Sequence, residues 1–378
     1  MKSELLPIVH KKTLDKKFIV LIIATTLAGL ANGVSFAQMA RMMSDITYAP
    51  WLLYATALPY TVLYFIMVYL LTPASEIRSC RLFWYYFVLG VFGVGLAGVT
   101  SQFGDGYVSP TLQALVQSLQ IPFTAIGIKL FMTDRFGMAS AAEPISCLMW
   151  CGVGLVMTGI FLATVVPKLL STGWEDDGTT IAGFFGFVYG MIGAAIVDVV
   201  QRSYFKIHSG DVWLQLLWSN LITIPIFLLS PLLTMSDSFG GLSWDQMIAR
   251  QGDGFQCFAQ VEPLPYACQI GALPWTIIFI FAYGSYYYMQ SILVKEYGAI
   301  FQSVILGLVV VGQTLIQTLS VFGDQELSVY NWIALALCIL GIVLYAFGRD
   351  QSGKGKNFQP CCEAYFKRKQ DWDSVQEV

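Results

Sequence analysis

The sequence predicts an all-α integral membrane fold of ten transmembrane helices, and three observations carry that expectation. The 378 residues are 56% hydrophobic, 15% aromatic and only 12% charged, about half the charged share of a typical soluble domain. The apolar residues lie in continuous runs of about 20, the length of helix that crosses a ~30 Å hydrocarbon core. A barrel would need alternating segments of about ten residues instead. Lysine and arginine then distribute strongly to one side of these runs. With a mean hydropathy of +0.64, a water-soluble fold would have no place for so much apolar surface. In lipid, only helices and closed barrels satisfy every backbone group.

The spans follow in order. The first, Phe18–Ala40, is too long for a signal-peptide core and is read as a retained helix. It holds the packing motif Gly29-x-x-x-Gly33 and a polar face of Asn32 and Ser35. The second is Trp51–Thr72, and the third, Phe83–Gln102, has a glycine-rich run from Gly90 to Gly98. The fourth, Pro110–Met132, bears several glutamines and a mid-span Pro122, and the fifth is Ile145–Val166. The sixth, Thr180–Val200, contains Asp198, and the seventh, Trp213–Thr234, is interrupted by Pro225. The loop Met235–Ala272, 38 residues long, is the longest stretch outside the spans. The eighth, ninth and tenth spans are Leu273–Leu293, Ala299–Ser320 and Val329–Phe347. Residues 1–17 and 348–378 are tails. The prolines are sites for kinks.

An even number of spans places both termini on one side. With that side cytosolic, 18 of the 21 Lys and Arg residues are cytosolic, and only Arg41, Lys168 and Arg250 are not. This is the positive-inside pattern, and a wrong span count would scramble it. The far side is acidic, with Glu175, Asp176, Asp177, Asp237, Asp245, Asp253, Glu262, Asp324 and Glu326. The basic residues sit at membrane edges, so no nucleic-acid partner is expected.

Ten spans divide into two sets of five, about 18–166 and 180–347. An odd number per half inverts the second half relative to the first, the arrangement of many transporters. Gly95 to Gln113 and Gly284 to Gln302 are both separated by 18 positions. The following segments, 111–116 and 300–305, align around the shared glutamine.

Intramembrane polar groups supply the chemistry. Gln113, Gln117 and Gln120 are spaced i, i+4, i+7 and share a helix face; Gln302, Gln313 and Gln317 share another, since 11 residues make almost three turns. Amides in hydrocarbon are costly unless they face protein or water. They are therefore either hydrogen-bond links between helices or the lining of a cavity, and two matched stripes favour the cavity. Tyr283, Tyr287 and Gln290 form a third i, i+4, i+7 face. It reads equally as an aromatic surface for cationic or amphipathic solutes and as an interfacial aromatic belt. Asp198 is the sole acidic residue placed within a span. It is a candidate for proton coupling or for the counter-charge of a cation, or else a partner of Arg202 at i+4.

The chain has eight cysteines and two histidines. Cys147, Cys151 and Cys338 read as core fillers; Cys80 is cytosolic, and Cys361 and Cys362 lie in the basic tail. Cys257 and Cys268 share the non-cytosolic loop and are expected to form a disulfide if that compartment is oxidising. No metal site is expected, because His10 and His208 are cytosolic. There is no phosphate loop, no G-x-S-x-G, no H-E-x-x-H and no N-x-S/T sequon. No cofactor and no enzymatic activity are expected.

The stretch Ser109-Pro110-Thr111-Leu112-Gln113-Ala114-Leu115-Val116-Gln117-Ser118-Leu119-Gln120-Ile121-Pro122-Phe123 resembles the fourth-helix signature of the chloroquine resistance transporter-like family, in the drug/metabolite transporter superfamily. The loop opening Gly254-Phe255-Gln256-Cys257 is similar to that family as well. The resemblance runs from the first span to the tenth. It implies an inverted repeat around a central cavity whose fourth and ninth helices line the gate. It also implies proton-driven export of amino acids, short peptides, thiols or cationic drugs from an endolysosomal or vacuolar compartment. Two departures stand out: malarial members carry four cysteines in this loop, and their third helix has a mid-span acidic residue where this chain is glycine-rich. The expected partners are a small-molecule substrate, protons and the lipid bilayer, and the chain is read as a monomer. The competing classes are a passive pore, a non-transporting scaffold and a multi-span enzyme. Short loops count against the scaffold, and the absence of paired catalytic groups counts against the enzyme.

Overall fold

The computed structural model describes residues 16–43, 46–73, 82–105, 113, 116–132, 145–170, 178–208, 210–265, 268–317, 319 and 329–353. Expectations placed on residues 1–15 and 354–378 of the tails, on Cys80, on the acidic residues 175–177 and on Asp324 and Glu326 fall outside these residues, as does the side chain of Gln317. Among the described residues the chain is all-helical, and the sole β contact is an isolated bridge between Met43 and Cys268.

The helices are α1 (Lys16–Met42), α2 (Ala49–Leu71), α3 (83–105), α4 (Gln120–Phe131), α5 (Cys147–Leu170), α6 (Gly178–His208), α7 (Val212–Leu229), α8 (Trp244–Ala259), α9 (Ala272–Tyr297), α10 (Ala299–Gln317) and α11 (Val329–Gly353). Among the described residues, five segments are long and apolar enough to cross a membrane: Ile19–Met39, Phe83–Gly104, Phe184–His208, Val212–Met235 and Ala272–Tyr297. Shorter apolar helices cover Ala57–Leu71, Gln120–Phe131, Cys147–Leu162, Phe301–Ile316 and Val329–Tyr345. Each of these segments overlaps one of the apolar runs read from the sequence.

The polarity of the bundle is inverted relative to a water-soluble fold. Large apolar side chains face outward, among them Val62, Phe65, Tyr69 and Phe281, exposed by 62, 62, 79 and 73%. Asp198, Ser203, Thr223, Gln302 and Thr314 are buried inside. Such an outer surface suits lipid and would aggregate in water.

The principal helix contacts pair α1 with α9 and α10, α6 with α3 and α4, α7 with α2 and α3, and α5 with α11. Glycines let these backbones approach. A Cβ on Gly152 of α5 would lie 2.4 Å from the carbonyl oxygen of Gly341 in α11, and one on Gly341 would lie 2.6 Å from the carbonyl oxygen of Gly152. Helix α3 is α-helical over Phe83–Val88, widens to a π-helix over Leu89–Leu96, and returns to α over Ala97–Asp105. The Thr223 hydroxyl of α7 donates to the Gly90 carbonyl within the π segment at 2.9 Å.

The bundle has two recognisable ends. At one, the Gln269 amide donates to the Met42 carbonyl at 2.9 Å, joining the end of α1 to the start of α9. At the other, Asp211 caps α7 by accepting from the Leu214 amide at 2.9 Å and from the Thr72 hydroxyl at 3.0 Å. There Lys295, at the end of α9, donates to the Gly210 carbonyl at 3.1 Å.

Helix α8 lies in the segment read from sequence as a loop, and it is not among the expected elements. Its low overall hydropathy hid it, yet its start was marked by a capping box. The Ser243 hydroxyl accepts from the Gln246 amide at 3.5 Å, and the Gln246 side chain accepts from the Ser243 amide at 2.9 Å. The helix stops at Gln260, which adopts φ 55°. Its side-chain carbonyl then accepts from the Gly271 amide at 2.9 Å, ahead of α9. The expected disulfide joins Cys257 to Cys268, with their Cα atoms 5.5 Å apart. Replacing both cysteines by serine is expected to remove about 2–3 kcal/mol through loop entropy, lowering the unfolding temperature in detergent. A wild-type melting point unchanged by reductant would contradict this.

Two of the three cysteines read as core fillers are free, Cys338 buried and Cys151 exposed. The core-filler reading therefore holds at Cys338 and is corrected at the other two, Cys151 being exposed and Cys147 disulfide-bonded.

Candidate functional site

A cavity of about 180 Å³ opens within the bundle, in the half nearer α8. Asn32, Gly33 and Phe36 of α1 form one wall, and Phe279, Tyr283 and Tyr287 of α9 form the adjoining wall. Opposite these stand Gly93 to Gln102 of α3 and Phe187, Gly190, Met191 and Ala194 of α6, with Gln117 ahead of α4. Leu53 and Phe227 complete it. Among the described residues no charged side chain lines it. Rings and amides give a surface that accepts apolar, aromatic or cationic groups on π faces and fixes polar groups by hydrogen bonds. The size is close to the ~150 Å³ cavity that holds a benzene and below the ~300–1,000 Å³ of sites for drug-sized ligands.

Glycine on α6 is required by close packing. A Cβ on Gly190 would sit 2.0 Å from the Ser101 hydroxyl, and one on Gly193 would sit 2.7 Å from the Phe92 carbonyl. These residues let α3 and α6 meet at the back of the cavity. Tyr283 stacks on Tyr60 with ring centroids 5.1 Å apart and lies 4.3 Å from the Tyr287 ring. Tyr60 is anchored in turn by a hydrogen bond from its hydroxyl to the Ile280 carbonyl, at 2.5 Å. The tyrosine face of α9 is therefore cavity wall rather than an outer belt.

Asp198 follows Ala194 by one turn of α6, below the cavity floor, and is fully buried. Its carboxylate accepts from three donors on two other helices. Gln120 Nε2 donates at 2.8 Å and Thr124 Oγ1 at 3.1 Å to Oδ2, and Gln290 Nε2 donates at 3.1 Å to Oδ1. The carboxylate thus ties α4, α6 and α9 together. Arg202, the partner suggested by i+4 spacing, directs its Nη1 to the Val294 carbonyl at 3.2 Å. A further polar cluster lies beyond: Gln201 Nε2 donates to Gln215 Oε1 and to Ser291 Oγ, each at 3.2 Å.

The glutamine stripes divide among roles. Gln117 lines the cavity, whereas Gln120 binds Asp198. Gln313 is an interhelical link: its Nε2 donates to the Gly29 carbonyl at 3.0 Å, and its amide fills the space that a Cβ on Gly33 would occupy, 1.8 Å away. Gln113 and Gln302 are buried and away from the cavity wall. The Asn32 side-chain oxygen is buried with no hydrogen-bond partner among the described residues, so a cavity wall holds an unused acceptor. The sequence reading missed Ser101, Gln102 and Thr124. Thr124 follows Gln120 by one turn, and that spacing was the available signal.

No protein-family model matches the chain, and neither does any of the curated proteins. Among solved structures, 28 chains match. One, described only as the crystal structure of a protein, superposes with a TM-score of 0.54 over 88% of this chain and 97% of its own length, at 12% identity. At that identity the likeness is one of fold alone.

Proposed function

We propose that the chain is a ten-span secondary transporter, built as an inverted five-plus-five repeat with both termini cytosolic. It moves small organic solutes, with proton-coupled export from an acidic endolysosomal or vacuolar compartment as the activity. The observation that carries this reading is a neutral aromatic and amide cavity in the bundle with a buried carboxylate one turn below it. The helix pairing supports the repeat. Exchanging first with sixth, second with seventh, third with eighth, fourth with ninth and fifth with tenth spans turns the α1–α9 contact into α6–α3. It turns α1–α10 into α6–α4, leaves α2–α7 and α5–α11 unchanged, and turns α3–α7 into the lighter α2–α9 contact. With α8 on the non-cytosolic side, Asp198 and its donors close the cytosolic side of the cavity.

The test is uptake by purified protein in proteoliposomes offered labelled amino acids, short peptides and cationic amphiphiles, with and without a pH gradient. Saturable, gradient-stimulated uptake that supports counterflow is expected. Non-saturating, gradient-insensitive flux would identify a pore instead.

The tyrosine wall makes a further prediction for whichever solute is carried. Tyr287→Ala is expected to raise KM about tenfold, the loss of ~1–2 kcal/mol of ring contact. Tyr287→Phe keeps the π face and should stay within about twofold. Initial-rate kinetics on both variants decide it, and equal KM values for all three proteins would remove Tyr287 from the binding wall.

A further inference from the structure

We propose that Gln290 is the positioning residue that reports the proton on Asp198 to the cavity. Its side-chain amide gives N–H to the carboxylate and turns to give its oxygen once the carboxylate is protonated. This rests on the proton-coupled reading above and names the group that does the coupling. A carboxylate can only accept, so the amides around it face it with nitrogen. Its two oxygens are served from different helices. Oδ2 accepts from Gln120 Nε2 at 2.8 Å and Thr124 Oγ1 at 3.1 Å, both on α4. Oδ1 accepts from Gln290 Nε2 at 3.1 Å, on α9. Asp198 is 0% exposed and Gln290 5%, so bulk water does not stand in for a partner that turns away.

A proton from the acidic compartment adds to a carboxylate lone pair as a new O–H. In a buried site that O–H must find an acceptor. On Oδ2 it would meet two donors. On Oδ1 it meets one amide, and a half-rotation of that amide replaces N–H by C=O. The turned amide then has its own N–H to place, and an acceptor is at hand. Gln201 follows Asp198 by three residues on the same face of α6. It is 1% exposed, and its Oε1 has no hydrogen-bond partner among the described residues. Gln201 Nε2 already donates at 3.2 Å to the hydroxyl of Ser291, the neighbour of Gln290. The orphan acceptor on α6 thus belongs to the protonated state, in which the Gln290 N–H swings from Asp198 toward Gln201.

Helix α9 carries the change to the cavity. Tyr287 and Tyr283 precede Gln290 by three and seven residues on one face of the helix, and both line the cavity. The ionisable groups around the carboxylate leave this role to Gln290. The Tyr286 and Tyr287 hydroxyls of α9 feel its charge, and Arg202 of α6 directs its Nη1 to the Val294 carbonyl. Helix α4 faces it with Gln120 and Thr124. Helices α7 and α10 and residues 90–98 of α3, which also pack on α6, contain no ionisable side chain.

The test is pH-difference infrared spectroscopy of the full chain in phosphatidylcholine vesicles, made with glutamine carrying heavy carbon at its side-chain carbonyl. It needs no solute. Lowering the pH is expected to raise a protonated-carboxyl band that Asp198→Asn lacks. A labelled amide carbonyl should fall in wavenumber at the same time, as its oxygen gains a donor. Gln290→Met, close in shape, should lose the amide signal and keep a carboxyl band at a shifted position. Gln120→Met should keep the amide signal. Size exclusion checks that each variant is folded. Protonation of Asp198 with no amide signal in the wild type overturns the proposal without recourse to a variant. So does an amide signal that survives Gln290→Met or is lost in Gln120→Met. Absence of the Asp198 band at every pH at which the protein stays folded overturns the proposal and removes the site of proton coupling with it. The expected spectra beside gradient-insensitive uptake would instead sink the proton-coupled reading and leave the response of Gln290 standing.

Discussion

Asp198→Asn is expected to abolish the response of uptake to a pH gradient while leaving a folded protein. The substitution keeps the shape of the side chain and removes its charge. Gln120, Gln290 and Thr124 can each turn to present an acceptor to the new amide, so the tie between α4, α6 and α9 is retained in a neutral form. Gradient-driven uptake should fall at least about tenfold, the scale set by ~1.4 kcal/mol of lost coupling. Exchange of solute across the vesicle membrane without a gradient should persist. Asp198→Ala differs in kind. It strands three donors, which reach the carboxylate at 2.8, 3.1 and 3.1 Å, in a buried setting. At about 1–3 kcal/mol for each unsatisfied group, most of the folded protein should be lost on size exclusion in detergent. Gradient-driven uptake by the Asn variant at the wild-type rate would separate Asp198 from coupling.

Gly152→Val is expected to have the largest effect on stability. The atoms facing a new side chain are main-chain atoms: the Gly341 carbonyl oxygen at 2.4 Å and the Tyr345 amide nitrogen at 2.9 Å. Neither can yield without separating α5 from α11. Overpacking of this kind costs about 1–3 kcal/mol where side chains can adjust, and a backbone clash belongs at or above the top of that range. The readout is the melting temperature of purified protein in detergent. Gly154→Val on the same helix is the control, since nothing lies within 4 Å of its Cβ position. It should melt like the wild type, and a similar fall in both variants would rule out the glycine contact as the cause.

The apolar helices were legible because about 20 consecutive apolar residues have few other uses. Asp198 was legible for the converse reason, a carboxylate where none is cheap. Its surroundings were only half so. Gln120 and Gln290 stood out as amides, but Thr124 did not, because a threonine in a span commonly bonds its own backbone, as Thr158 does to Gly154 at 2.8 Å. The fourth-span stripe was read with one unbroken helical period, yet a turn at Ser118 and Leu119 precedes Gln120. That break sends Gln117 to the cavity and Gln120 to the carboxylate. Gln313 was grouped with Gln302 by periodicity, whereas the absence of a side chain at Gly33 decides where its amide goes. The π segment of α3 left no mark beyond its glycines. Helix α8 was missed because a search for apolar runs passes over a helix whose faces balance.

The principal contacts join helices from opposite halves of the chain: α1 with α9 and α10, α2 and α3 with α7, α3 and α4 with α6, and α5 with α11. A ribosome that has released only the first five helices has therefore made a set of segments whose main partners are not yet synthesised. The polar surfaces of Gln113 and Gln120 must wait among lipid, or in the care of the insertion machinery, until Asp198 and the later helices arrive. Neither half is then a folding unit in its own right. The two halves expressed as separate polypeptides should be degraded when made alone and rescued when made together.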